Sequence, residues 1–558
     1  MKIDIRWQLL LVVICLGLVV SLLSYQIQRA GLCTTRVPST GGRLGIGIVG
    51  RPDKINPLLG SQNPVDQEII NLVFDGLLRR DVDGAPLPAL AESWTVSGDG
   101  KTLTLVMRDD ISWHDGRAVT SRDVLFTYGL IQDEDFPAPE SLKSLWSSIV
   151  ISSTNKSSVE LTLPHPYGPF LDALTIGILP AHLLEDIPPN QLENHPFNRA
   201  PIGTGPFAVS QVFDWEQTGL LRLVPAPQYW QGAVKIDTLD YHFYPDNASL
   251  ARAFSTGDIQ AVAGLSSEAV PDFLVLPGFR LFTSPNRQIT ELLFNIRDNG
   301  SPLLKLEAGR RALSSGTDRP LLIDEAVDGQ GLVIDGPFVP GDWAFDSDAI
   351  EGIGFNAGEA SRILDELGWL PAEGAPGRER EGEPLVLTMI HPDDAPNRRI
   401  AEVLEDQWAQ IGIAADLVAV APDEMSETLS LGAFDVALVD VLTPVDPDLY
   451  DFWSQEAIIN GQNYGGWNNR LASEALESGR QIYETGERIP YYSSFLKSFS
   501  EDLPAYTLFQ HVENFGVSET IRDAEVGLFQ QPRERFETLA DWVMLYREVA
   551  VACPESEL

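Results

Sequence analysis

The groups in this 558-residue chain that could do chemistry are seven histidines, three cysteines and 80 acidic residues. The histidines are His114, His165, His182, His195, His242, His391 and His511. No two of them have metal-pair spacing, and neither Cys33 nor Cys553 has a second Cys or His at ligand distance along the chain. H-E-x-x-H, C-x-x-C and G-x-S-x-G are absent. Carboxylates are too abundant for one pair to stand out as an acid/base couple. The stretch that most resembles an active site is "ISWHDGRAVTSRDVLFTY", Ile111–Tyr128, where His114 meets Asp115. No nucleophile accompanies them. His114-Asp115-Gly116 has turn chemistry, and Thr120-x-x-Asp123 has the spacing of a helix capping box. Val124, Leu125, Tyr128 and Ile131 then share one helical face. The stretch therefore reads as a turn feeding a helix rather than a catalytic dyad. Chemistry gives way to binding: no catalytic residue, metal site or cofactor is expected.

Two glycine motifs invite a phosphate reading and fail it. Gly45, Gly47 and Gly50 make a G-x-G-x-x-G, but a pyrophosphate loop needs a helix behind it, and Pro52 and Pro57 forbid one. "GDGKT" at 98–102 lacks the first glycine of a phosphate loop. Acids outnumber Lys plus Arg by 80 to 39, a formal charge of -41. Such a surface repels phosphate backbones, so nucleic acid is not a partner.

The elements that must position a site form a mixed α/β chain too long for one compact core. Trp7 to Tyr25, "WQLLLVVICLGLVVSLLSY", is uncharged and long enough to cross a bilayer as a helix. Lys2 and Arg6 precede it, which favours an N-terminus inside and the remaining chain outside. An uncleaved anchor is the reading favoured over a cleaved signal peptide. Residues 26–43 are read as a linker. "LGIGIVG" (44–50) reads as a strand, Asp66–Arg79 as a helix capped by Asp66, and residues 93–108 as a hairpin turning at Gly98-Asp99-Gly100. Strands are expected at 289–296 and 434–441, and helices at 309–315 and 357–367. "LVLTMI", a helix over 398–411 and "ADLVAVA" make a β-α-β unit of a parallel sheet. Residues 371–384 read as a low-complexity surface loop.

Several stretches, in order, resemble one family. They include "INPLL" (55–59), "VFDGLLRRD" (73–81), "PALAESWTVSGDGKTLTLVMRDDISWHDGRAVTSRDVLFTY" (88–128), "GTGPF" (203–207), "APQYW" (226–230), "LLFNI" (292–296), "ASRILDELGW" (360–369), "FDVA" (434–437), "NYGGWNN" (463–469) and "EDLPAYTLF" (501–509). The chain resembles the extracytoplasmic solute-binding proteins of ABC importers, in the oligopeptide/dipeptide/nickel class. The resemblance implies a two-lobed periplasmic-binding-protein-like α/β fold with an extra subdomain, behind one N-terminal transmembrane helix. Residues 44–85, 200–285 and 510–550 would form the main part of lobe 1, residues 86–199 its extra subdomain, and residues 286–509 lobe 2. Both soluble ends would belong to one subdomain, which leaves open a Cys33–Cys553 disulfide outside the cytoplasm.

The function implied is capture of an oligopeptide-like solute between closing lobes and delivery to an ABC permease and its ATPases, at the outer face of the bacterial cytoplasmic membrane. The runner-up readings are a non-peptide solute (an oligosaccharide or metal chelate), a sensor on the same fold and, further off, a hydrolase. Peptide receptors of the class place an Asp against the ligand's α-amino group. Here that position falls on Thr443 or Pro444, so recognition of free peptide ends is in doubt. The expected ligand-binding residues are Asp440, Thr443 and Asp446 as polar contacts and Trp146, Tyr464 and Trp467 as adaptable aromatic ones.

Overall fold

Two long antiparallel strands, Phe279–Phe294 and Ala505–Ser518, run through the middle of an eleven-stranded sheet and belong to both of its halves. On one side, Ala261–Leu265, Arg43–Val49 and Thr238–Tyr244 lie parallel, followed by Leu220–Pro225 and Phe207–Val209. On the other, Val436–Leu442 pairs antiparallel with the long strand Phe279–Phe294, and Val386–Pro392 and Ala414–Val420 follow parallel to it. Helix Ala395–Gln410 connects the last two, completing the β-α-β unit read from the sequence. The structure, a computed structural model, describes residues 41–60, 63–81, 84–210, 215–232, 236–374, 376–521 and Val526. It also describes Ile14 and residues 16–22 as helix, and the backbone of Leu32–Ser39 and Leu545–Ala552.

Each half of the sheet carries its own core, which makes the molecule two-lobed. The first core runs from Leu44 and Ile46 through Leu239 and Ala261 to Phe515 and Ile521. It also takes in Leu103, Leu105, Val159 and Leu161 of a separate four-stranded antiparallel sheet, Ala91–Val96, Thr102–Met107, Ser158–Thr162 and Val150–Asn155. Helix Ser121–Gln132 covers this small sheet with Val124, Tyr128 and Ile131 buried. The Thr120 amide donates to Asp123 Oδ2 at 2.8 Å, as the capping spacing requires. In the second lobe, Leu292, Phe294 and Leu438 pack on one face of the sheet, and Leu293 and Ala437 on the other. Burial on both faces explains why these strands read as continuous apolar runs.

The two long strands change register where the lobes join. Pro285 pairs with Val512 and Ile289 with Gln510, so Asn286, Arg287 and Gln288 together oppose His511. A bulge of this kind bends the strand at the crossing.

Three sequence expectations are corrected. The first helix is Pro64–Val73, capped by Asn63. Asp66 instead accepts the Asp53 and Lys54 amides, and Leu78–Arg80 leaves as a strand paired with Pro86–Pro88. Much of the expected linker is the strand Leu32–Ser39, paired antiparallel with Leu545–Ala552, a partner too distant in sequence to be foreseen. Part of the 371–384 loop is ordered as strands Arg378–Arg380 and Glu383–Pro384, with buried Arg378 donating to the Ile411 and Trp369 carbonyls. Among the described residues no helix is long and apolar enough to cross a membrane, and most of Trp7–Tyr25 lies outside them. Cys553 also lies outside them, so the disulfide expectation does too.

Candidate functional site

The strands of lobe 2 end facing lobe 1, and open space lies where they end. A cavity of about 630 Å³ sits at the crossing. Lobe 1 lines it with Gln67, Ile70 and Asn71 of helix Pro64–Val73, and lobe 2 with Leu442, Thr443 and Pro444. Arg287 and Gln288 of the bulge form its floor. A second cavity, about 310 Å³, opens beyond the carboxyl ends of Val386–Pro392, Ala414–Val420 and Val436–Leu442. The crevice outside the carboxyl ends of sheet strands is where open α/β folds bind ligands. Pro392, Pro422 and Val441 mark those ends, and Phe452, Trp453 and Tyr464 close the wall.

The lobes also touch directly. The Gly168 amide donates to the Arg480 carbonyl at 2.8 Å. The Tyr167 hydroxyl donates to Asp448 at 3.2 Å, and the Tyr483 hydroxyl to the Gly100 carbonyl at 3.0 Å. Arg480 lies between the Tyr167 and Tyr450 rings, 5.0 and 4.3 Å from their centroids, and pairs with Asp448 at 2.8 Å. Burial pushes the Tyr167 phenol and the Asp448 carboxyl upward, and the acids around Arg480 raise it despite its burial.

The expected ligand residues divide on this geometry. Asp440 and Tyr464 line the smaller cavity and Thr443 the larger. Asp440 accepts from Thr290 Oγ1 at 2.5 Å and from Asn397 Nδ2 at 3.1 Å, with His511 at 3.4 Å. Desolvation opposes its charge, but bonds from His511 and Thr290 outweigh it and hold the carboxyl below its usual range. Thr443 is less free than its position suggests. Its amide and its hydroxyl both donate to the Arg287 carbonyl at 2.9 Å. Asp446 is buried in a bidentate pair with Arg488, both bonds 2.6 Å, so an incoming amine would have to break it. Trp146 is fully buried, stacked on Tyr128 at 4.1 Å with Phe170 on its edge. Trp467 is buried among Trp453, Phe495 and Phe499, with its indole N–H on Asp502. Both indoles fill cores, and neither lines these two cavities.

His114 has no free nitrogen for catalysis. The Gly203 amide donates to its Nδ1 at 3.2 Å and its Nε2 meets the Gly205 carbonyl at 3.0 Å. Burial lowers its pKa, and the two bonds fasten the turn to residues 203–205. Among the described residues no group of three or more His, Cys, Asp or Glu could hold a metal ion.

Sequence reasoning missed Glu291, Arg287 and the Tyr167–Arg480 contact. Glu291 lines the smaller cavity, is 4% exposed, and its Oε2 has no hydrogen-bond partner. Burial alone pushes its carboxyl up to about 7. Arg287 holds Asp342 at 2.6 and 2.9 Å and donates to the Pro444 carbonyl at 2.6 Å, fixing the bulge to the end of Val436–Leu442. The only signal for Glu291 was one acid beside the apolar run Leu292–Phe294 in "ITELLFNI".

Two lobes on a shared sheet, crossed by two bulged strands and parted by a lined crevice, define a ligand-binding receptor fold, and the chain belongs to the bacterial extracellular solute-binding proteins, family 5, whose model matches residues 85–458. Among its relatives, the oligopeptide-binding protein AppA of Bacillus subtilis (strain 168) is 25% identical over 489 residues, covering 86% of this chain and 87% of that one. The nickel-binding periplasmic protein of Escherichia coli (strain K12) is 28% identical over 381 residues, 67% of this chain and 70% of that one. Among solved structures, AppA from Bacillus subtilis with a nonapeptide superposes with a TM-score of 0.67 at 24% identity, covering 91% of this chain and all (100%) of that one. NikZ from Campylobacter jejuni with Ni(L-His) gives 0.68 at 25% identity over 90% of this chain and 99% of that one.

Proposed function

We propose that the chain is the solute receptor of an ABC-type importer, taking an oligopeptide-like solute into the interlobe cleft and passing it unchanged to a membrane permease and its ATPases. The observation that carries this is the lined crevice of about 630 Å³ shared by both lobes at a bulged crossing. A solute that touches both lobes favours the closed arrangement, and a permease can read that arrangement. The division proposed puts residues 44–85, 200–285 and 510–550 in lobe 1, 86–199 in its extra subdomain and 286–509 in lobe 2. The separate cores support the split between the two lobes, and the separate four-stranded sheet supports the extra subdomain. The uncharged stretch from Trp7 to Tyr25 tethers the receptor outside the cytoplasmic membrane and raises its concentration near the permease.

A second reading, a solute without a free peptide amine, rests on Thr443. Thr443 offers an amine only a neutral hydroxyl oxygen, its own proton going to the Arg287 carbonyl, and the carboxylate that lines the larger cavity is Glu513 on the other long strand. The test is a thermal-shift screen of the purified protein against free-amine peptides, oligosaccharides and metal chelates. A ligand at a hundred times its dissociation constant adds about 2.7 kcal/mol of stability. Stabilisation by peptides supports the first reading, and response to sugars or chelates alone supports the second. If none of these stabilises the protein, the receptor reading fails.

A further inference from the structure

The smaller cavity holds a feature that receptor architecture does not explain. Glu291 sits on strand Phe279–Phe294, opposite Val439 in the register, on the face that carries Leu293. Its cross-strand neighbours there are Val439 and Thr507, whose hydroxyl is taken by the Gly336 carbonyl, while Glu291 enters the cavity with Oε2 buried and unpartnered. Buried polar groups are otherwise almost always bonded, and a bare carboxylate in apolar surroundings is costly. The walls around it are Met425, Leu429, Phe452 and Trp453. The titratable groups sharing the cavity are Asp440, held below its usual range by His511 and Thr290, and Tyr464. Helix Met425–Leu431 contributes Met425, Ser426 and Leu429, and helix Tyr450–Trp453 contributes Phe452 and Trp453, so neither brings a charge into the cavity. No basic side chain lines it.

We propose that this cavity is a subsite for an organic cation, an ammonium carried on an apolar body, with Glu291 as its counter-ion and Phe452, Trp453 and Met425 around the body. This rests on the receptor reading and deepens it, since it names the chemistry selected by a lobe 2 cavity that adjoins the crevice at Val441 and Leu442. A lone carboxylate with apolar neighbours suits an ammonium, which needs one strong acceptor. It does not suit a metal ion, which needs several donors. Asp440 adds negative potential at the rim, and the aromatic faces favour a cation as well. An ammonium in place would return Glu291 to its charged form, so binding at low pH would have to expel a proton.

The experiment uses the full chain, isothermal titration or ligand-observed NMR, and two probes of equal size: phenethylamine, cationic throughout, and 2-phenylethanol, neutral. The expected result is that phenethylamine binds at least about tenfold more tightly than the alcohol at pH 8, the factor of one charge-assisted bond. Its affinity falls about tenfold between pH 8 and pH 6, while the alcohol's does not. Glu291→Gln, near-isosteric and neutral, abolishes both the preference and the pH dependence. Equal binding of the two probes, no saturable binding of phenethylamine, or a preference that survives Glu291→Gln overturns the proposal. The pH dependence of the unaltered protein keeps the test decisive if the variant folds poorly. The two readings fail separately. A peptide that stabilises the protein while phenethylamine shows no Glu291-dependent binding sinks the subsite and leaves the receptor. Glu291-dependent phenethylamine binding with no response in the solute screen does the reverse.

Discussion

Gly168→Ala probes whether solute binding depends on the lobes meeting as they do here. A Cβ on Gly168 would stand 1.9 Å from the Ile482 carbonyl oxygen and 2.9 Å from its carbon. Both atoms are backbone and cannot swing aside. Gly168 has no positive φ, so alanine meets no conformational strain of its own. The clash is between lobes, because Gly168 precedes helix Phe170–Ala173 of the small-sheet subdomain and Ile482 precedes helix Thr485–Asp502 of lobe 2. Relief therefore comes from opening the lobes, by more than about 1 Å before the carbon–oxygen contact is normal. At that separation the 2.8 Å Gly168–Arg480 bond, the 3.2 Å Tyr167–Asp448 bond and the 3.0 Å Tyr483–Gly100 bond are broken. Two neutral bonds at about 1 kcal/mol each and one to a carboxylate at about 1.5 kcal/mol sum to roughly 3.5 kcal/mol of closed-state stability. That is a loss of affinity of roughly 400-fold for any solute that needs closure. The assay is isothermal titration with a solute found in the stabilisation screen, alongside the melting temperature of the free protein. Affinity should fall while the free protein melts nearly as before. An affinity within about threefold of the unaltered protein would refute the coupling of this contact to binding.

Glu291 also predicts how the free protein responds to pH. Its folded-state pKa of about 7 lies above the ordinary value of 4.5, so the folded state binds the proton more tightly. That stability is present below pH 4.5 and lost as pH rises through about 7, worth about 3 kcal/mol in all. Glu291→Gln should remove this decline, and denaturant melts at pH 5 and pH 8 measure it; equal slopes in the two proteins would count against it. Arg488→Leu strands the buried Asp446 carboxylate and should cost about 3–5 kcal/mol, whereas replacing both partners with apolar residues should recover most of it. Chemical denaturation of the single and double variants decides between these. Thr443→Val should lose about 1 kcal/mol of stability with the hydroxyl bond to Arg287 and leave solute affinity unchanged, because that hydroxyl is already committed. A drop in affinity larger than the drop in stability would make Thr443 a ligand contact.

What the sequence disclosed and what it hid follow the range of the forces involved. The hairpin at Gly98–Gly100, the capped helix after Thr120 and the β-α-β unit around 386–420 are written in neighbouring residues, and each formed as read. The first helix was misread because Leu77 and Leu78 keep helical spacing, and only their pairing with Pro86–Pro88 shows that the chain has turned to strand. Charge was hardest to place. Asp446 looked free in a proline loop until Arg488, forty-two positions on, closed on it. Glu291 drew no notice in its strand; only the fold sets it beside Leu293, Trp453 and Tyr464 in the cavity. An aromatic residue is similarly mute: nothing near Trp146 says that it faces Tyr128 and Phe170, whereas Tyr464, read no differently, lines the cavity. On the proposed subsite, specificity follows from the charge the fold leaves unpaired. Arg287, Arg480 and Arg488 each have their acid. Among the acids lining the two cavities, Glu291 is the one with a buried oxygen left without a partner, and so the one with a bond still to make.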